Sequence, residues 1–127
     1  MVLCPPVYAA LAVAFADARE LEQFLSDLQL AVEGFTTDAL LAAAEGWRRY
    51  AAQRGRDLQC ARCGHRVSVA CAACGAPVTA RQHIVTDFLV GGHALRQADR
   101  LLTRDAGYYR TCFPTLPRLA PTPPPAG

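Results

Sequence analysis

At 127 residues, with 52% hydrophobic and 19% charged side chains, the chain is sized for one globular domain with a real core and is too apolar to be a disordered polymer. Its formal net charge of +2 is too small to argue by itself for nucleic-acid binding, and no stretch approaches the roughly 18 consecutive apolar residues of a membrane span. All 13 basic residues are Arg, which beside the many Ala, Pro and Gly suggests a GC-rich genome and says little about function.

"VLC" at residues 2–4 is a short apolar run stopped by Pro5 and Pro6. "VYAALAVAFA" then reads as a buried helix started by a proline. Its small-residue end imitates a signal-peptide cleavage site, but no basic residue precedes it and prolines stand where the charged region belongs. The expectation is therefore a cytoplasmic protein, in which six cysteines mean metal or thiols more often than disulfides. "DARELEQFLSDLQL" opens on Asp17 as N-cap with Glu20 three residues later, a capping-box pair, and Leu21, Phe24, Leu25 and Leu28 share one helical face.

"LAVEGF" is a short strand candidate, after which Thr36 or Thr37 caps a third helix. The pattern assigns its apolar side to Leu40, Ala44, Trp47 and Ala51, with Gly55 just past the end. Arg48, Arg49, Arg54 and Arg56 cluster there, either as a solvated helix C-terminus whose dipole favours cations or as a phosphate-facing patch. Ile84, Phe88, Leu95 and Ala98 mark a fourth helix, "RLLT" a buried strand, and "DAGYYRTCF" the turn and segment after it. "PTLPRLAPTPPPAG" holds six prolines and reads as a disordered or extended tail. Helices alternating with short apolar strands predict an α/β domain with a mostly parallel sheet, whose ligands bind beyond the carboxyl ends of the strands. Asp105, two residues after "LLT", falls there.

Between the third and fourth helices stands "CARCGHRVSVACAACGA", with Cys60-x2-Cys63-x7-Cys71-x2-Cys74 and a glycine, Gly64 or Gly75, after the second cysteine of each pair. A C-x-x-C-G turn lets two thiolates converge on one ion, and two such turns complete a tetrahedral Cys4 site. The spacing predicts structural Zn2+ held by Cys60, Cys63, Cys71 and Cys74, a closed site that staples a loop and does no chemistry. His65 reads as a surface neighbour, and Cys4 and Cys112 as buried apolar residues.

"HIVTDFLVGGHALRQADRLLTRDAGYYRTCFP" resembles the carboxyl-terminal half of PIN domains of the VapC toxin type, in which one Asp opens a helix and another follows a strand in an "LLTRD-x-G-[YF]" segment. "VLCPPVYAALAVAF" is similar to the strand and helix in the middle of that domain, and some members carry a paired C-x-x-C insertion before "DFL". The resemblance covers roughly residues 2 to 119. It implies a PIN-like parallel sheet flanked by helices over residues 1–119, interrupted by a zinc-knuckle insertion at 58–80 and followed by a Pro-rich tail at 120–127. It further implies a Mg2+- or Mn2+-dependent endoribonuclease, the toxin of a toxin–antitoxin pair. Asp87 and Asp105 would be catalytic metal ligands, RNA the substrate, a VapB-like antitoxin the partner, and a homodimer the assembly.

Without the resemblance, the two Asp residues read as a helix cap and a turn residue. Asp99 reads as a surface residue, His93 with Gly91 and Gly92 as helix packing, and Tyr108 and Tyr109 as core and surface aromatics. The sequence departs from the family at two points. Ala10 stands where the first helix usually carries a Glu, and the amino-terminal strand that usually ends in Asp is absent. The second departure implies an amino-terminally truncated domain with unpaired strands, best explained by a start codon set too far downstream. The alternative to a nuclease is a catalytically dead remnant or a zinc-stapled module that binds RNA or an antitoxin.

Overall fold

The computed structural model describes residues 1–53, 55, 57–60, 63, 65–78 and 85–121. In chain order they form β1 (Val2–Leu3), α1 (Pro5–Ala12), α2 (Ala18–Asp27), β2 (Ala31–Val32), α3 (Thr37–Gln53), β3 (Leu58–Gln59), β4 (Arg66–Val67), α4 (Val85–Gln97), β5 (Leu101–Leu102), α5 (Ala106–Cys112) and β6 (Arg118–Leu119). The chain is mixed α/β, as expected. Among the described residues the expected single sheet is instead three two-stranded pairs: β1–β2 and β5–β6 are parallel, and β3–β4 is antiparallel.

The helix starts follow their local chemistry. Asp17 accepts the Glu20 amide at 2.9 Å while Glu20 accepts the Ala16 amide at 2.9 Å, so two donors at the start of α2 are satisfied reciprocally. Thr36, not Thr37, caps α3, its hydroxyl accepting from the Ala39 amide at 3.2 Å. Gln97 at the end of α4 clamps the same turn. Its carbonyl accepts from the Thr36 amide at 3.0 Å, and its amide donates to Glu33 Oε1 and to the Gly34 carbonyl, each at 2.9 Å.

The core lies where α3 and α4 cross. α3 buries Ala39, Ala42, Ala43 and Gly46, and α4 buries Phe88, Gly91, Gly92, His93 and Ala94. Leu40 and Trp47, assigned above to the buried side, are 45% and 44% exposed. The buried stripe is the one of small residues, because only there can two helix backbones approach closely. A Cβ on Gly92 would strike the Ala39 carbonyl and Ala43, and one on Gly46 or Gly91 would strike the Phe113 ring. Phe113 is fully buried, seated between the two helices in the groove those glycines leave. A row of rings runs outward from it, with Tyr109–Phe113 centroids 6.2 Å apart, Tyr108–Tyr109 4.7 Å, Phe88–Tyr108 5.6 Å and Trp47–Phe88 5.4 Å.

Three further expectations are corrected. α1 has no buried residue, although its composition reads as a core helix. "DAGYYRTCF" is largely helical, as α5, because the Asp105 side chain accepts the Tyr108 amide and starts a helix; both Tyr108 and Tyr109 are buried. The proline-rich stretch is not wholly a tail: Leu116 is 2% exposed and Arg118–Leu119 pairs with β5. Ile84, Arg54, Arg56, Gly64, residues 79–80 of the insertion and residues 122–127 lie outside the described residues.

The parallel pairs each keep one open edge. The Ala31 and Glu33 amides donate to the Met1 and Leu3 carbonyls, and the Leu101 and Thr103 amides donate to the Pro117 and Leu119 carbonyls. Because backbone groups alternate sides along a strand, those of Val2 and Leu102 face away from their partners. Among the described residues neither has a backbone partner on that side.

The glycine contacts predict the sign of one substitution. Gly92→Ala gains about 1 kcal/mol of helix propensity but drives a methyl into backbone, an overpacking cost of about 1–3 kcal/mol. The net effect is a loss of stability of up to about 2 kcal/mol, read as a lower urea midpoint; a higher midpoint would show that the helices can separate at little cost.

Candidate functional site

Asp87 stands in the first turn of α4 and Asp105 at the N-cap of α5, just past the carboxyl end of β5. Cys4 closes β1 in the equivalent place, as N-cap of α1 without a side-chain cap bond. All three junctions act electrostatically on one ring, Tyr109. Burial pushes the Tyr109 hydroxyl well above its ordinary value, and Asp87, Asp105, Cys4 and Cys112 push it the same way. Tyr108 is raised by burial first, then by Cys112, Tyr109, Asp87 and Asp105. Both carboxylates thus lie within electrostatic reach of the same two hydroxyls.

Each carboxylate is half-buried. Asp105 is fixed on two sides: its amide donates to Thr103 Oγ1 at 3.1 Å and its Oδ1 accepts the Tyr108 amide at 3.1 Å. One of its oxygens therefore does the work of a helix cap, while Oδ2 is not used by that bond. The reading of Asp105 as a cap and its reading as a ligand are compatible. Two carboxylate oxygens from separate elements suit a hard divalent cation, and Mg2+ in particular keeps several waters when only one or two carboxylates hold it. α1 adds no acid to this place. Ala10 is exposed, and Asp17 and Glu20 are engaged in capping α2.

Arg49 donates to the Cys112 carbonyl at 3.0 Å and meets Glu45 at 3.6 Å, so this member of the Arg cluster braces the end of α5. His93 is 4% exposed with its ring edge-on to Phe35 at 5.7 Å, a packing role as expected. Asp99 and His65 are exposed. Cys4 and Cys112 are buried, as the sequence suggests. Thr103 and the two buried tyrosines are the parts of this place that sequence reasoning missed; the Thr-x-Asp spacing of a hydroxyl-braced turn was the available signal.

The other four cysteines lie elsewhere, in two hairpins between α3 and α4. Cys60, Cys63 and Cys74 are exposed and Cys71 is half-buried, and no disulfide joins any of the six. The Cys71 thiol is lowered from its ordinary value, first by the Cys74 amide, then by the Ala73 amide and the Cys74 side chain. Among the described residues no group of three or more His, Cys, Asp or Glu side chains stands together as a metal site. Among them, too, no helix is long and apolar enough to cross a membrane.

Burial raises the Cys112 thiol from 9.0 to about 11, against a lowering by Arg49 and with a further push from Asp105. Below about pH 9 the thiol is protonated in both folded and unfolded chains, and its contribution to stability is fully present. Between there and about 11 the unfolded chain gives up the proton more readily, so stability is lost as pH rises, and the two tyrosines act in the same sense at higher pH. The urea midpoint should fall from about pH 8 to about pH 11, and Cys112 should resist alkylation until the chain unfolds. A midpoint that rises over that interval would contradict the burial of these groups.

Set against protein-family models, curated proteins and solved structures, the chain matches none.

Proposed function

We propose that the protein is a divalent-metal-dependent endoribonuclease with a PIN-like fold, of the kind that serves as the VapC toxin of a toxin–antitoxin pair. The observation that carries this reading is the approach of Asp87 and Asp105, from two different helix starts, to the same tyrosine pair at the carboxyl end of a parallel strand. That is where ligands bind in open α/β sheets, and the two acids match the resemblance in "TDFL" and "LLTRDAGY". The partners that go with this reading are RNA, a VapB-like antitoxin and a second copy of the chain.

Asp87 and Asp105 would hold Mg2+ or Mn2+, which when bound supplies a water of lowered pKa and neutralises charge on a phosphodiester. The chain's own contribution is positional. The Thr103 hydroxyl holds the Asp105 backbone amide and the Tyr108 amide holds the Asp105 carboxylate, so an ion held there does not have to order it. Tyr108 and Tyr109 stay protonated, because burial and the nearby acids oppose ionisation, so they add no negative charge beside the carboxylates.

A second reading is favoured by one observation. With Ala10 exposed on α1 and Asp17 and Glu20 engaged as caps, two carboxylates are a lean set for a nuclease, which suits a module that binds RNA or an antitoxin without cutting. One experiment separates the two. Short single-stranded RNAs incubated with the protein and Mn2+ should be cleaved, EDTA should stop cleavage, and Asp87→Asn should lower the rate by at least about 100-fold, since even outer-shell partners of a metal cost about 10- to 100-fold. Asp99→Asn should leave the rate unchanged. Cleavage indifferent to Asp87→Asn would overturn the nuclease at this site, and RNA bound but intact at saturating Mn2+ would establish the second reading.

A further inference from the structure

The segment that links α3 to α4 is built as the same small unit twice. In the first hairpin β3 pairs with β4, Leu58 opposite Val67 and Gln59 opposite Arg66, and the Cys60 amide donates to the His65 carbonyl at 2.8 Å. In the second, Ala70 bridges Pro77 in antiparallel fashion, Val78 donates to Val69 at 2.8 Å, and the Cys71 amide donates to the Ala76 carbonyl at 2.8 Å. Cys60, Cys63 and His65 thus correspond residue for residue to Cys71, Cys74 and Ala76. Each C-x-x-C lies inside a turn closed by the same backbone bond.

The second turn shows why the pattern needs its glycine. Gly75 has φ +71°, a left-handed conformation that glycine adopts without strain, and its amide donates to the Cys71 carbonyl at 2.8 Å. The chain curls at that point, and the Ala73 and Cys74 amides turn toward the Cys71 sulfur, which also meets the Cys74 side chain. Backbone donors aimed at sulfur, with the second thiol on the same side of the turn, make half of a thiolate metal site.

Apolar packing does not explain the order of these hairpins. Of the side chains described between residues 57 and 78 none is buried; Leu58 and Cys71 are half-buried and the rest exposed. Val67, Val69 and Val78 are 46%, 37% and 37% exposed. Isolated two-stranded hairpins are marginal in water. The segment is tied to the helical core through Arg66, whose guanidinium donates to the Gln53 carbonyl at 3.0 Å, at the last residue of α3.

We propose that the two hairpins bind one Zn2+ through Cys60, Cys63, Cys71 and Cys74, and that the ion takes the place of a core for this segment. Binding joins the two knuckles, with four Zn–S bonds forming as four thiol protons leave to solvent. Four thiolates close the tetrahedral shell, so the site is structural. The proposal is independent of the acidic site, which lies at the starts of α4 and α5.

The test uses the full chain purified without chelator. Native mass spectrometry should show each chain heavier by one zinc less the displaced protons. Cobalt in place of zinc should give the intense visible absorption of a tetrahedral thiolate site. Cys63→Ser and Cys74→Ser, one in each hairpin, should each weaken binding by at least about 100-fold, while Cys112→Ser leaves it unchanged. Chelation of the wild-type chain should speed tryptic cleavage after Arg62 and Arg66, with the helical circular dichroism retained and the effect reversed by zinc; that arm does not depend on how any variant folds. A metal-free chain whose hairpins already resist trypsin, one zinc shared by two chains, or full affinity in Cys74→Ser would each overturn the proposal.

Discussion

The close approach of α3 and α4 is the constraint on which the rest of the molecule depends. Ala39, Ala42, Ala43 and Gly46 face Gly91, Gly92 and Ala94 with so little side chain between them that the backbones themselves define the groove. Phe113 fills what remains. Its ring touches the faces of both glycine-bearing helices, which makes it the keystone linking two elements that are far apart in sequence. Burying a side chain of that size contributes about 1.5–3 kcal/mol, and here it also sets the separation of the helices. The position of Asp87 follows from where α4 lies on α3, and that of Asp105 from where Phe113 and Tyr109 anchor α5.

A tension runs through the acidic place. Asp105 is needed as a helix start, and its carboxylate is held by the Tyr108 amide whether or not an ion is present. Such a group is pre-oriented, which lowers the ordering cost of binding, but it has one fewer oxygen to offer. The tyrosines beneath it illustrate the reverse arrangement. They are polar groups kept neutral by burial, with the nearby acids acting in the same sense. Both acids act in the same direction on both rings, although they are separated along the chain by most of α4 and all of β5.

Local chemistry was legible in the sequence, and packing chemistry was not. The capping box of Asp17 and Glu20, the Thr36 cap and the short strands at "VLC", "LAV" and "RLLT" are set by residues within a few positions of one another, although "RLLT", expected as a buried strand, leaves Leu102 54% exposed. α3 was misjudged because hydrophobic periodicity looks for large apolar side chains, and it selected Leu40 and Trp47. The buried face is instead determined by what α4 can tolerate, which is Ala and Gly. α1 departs from expectation too: its composition is that of a core helix, but it lies against α4 without burying any of its residues fully. The proline count hid β6, since the two residues that pair with β5 lie between prolines. Asp87 and Asp105 are singled out by resemblance to a family, and their common influence on Tyr109 could not be read from either local context, because it depends on how α4 and α5 pack.

The place of Phe113 also affects how the molecule can assemble. Phe113 meets Gly46 on α3 as well as Gly91 on α4, so seating the ring closes a long loop of chain that includes both hairpins, and the entropy of that closure has to be met before the contact rewards it. The groove between the helices and the ring that fills it therefore form cooperatively: neither α3–α4 packing nor the docking of α5 reaches its full stability without the other.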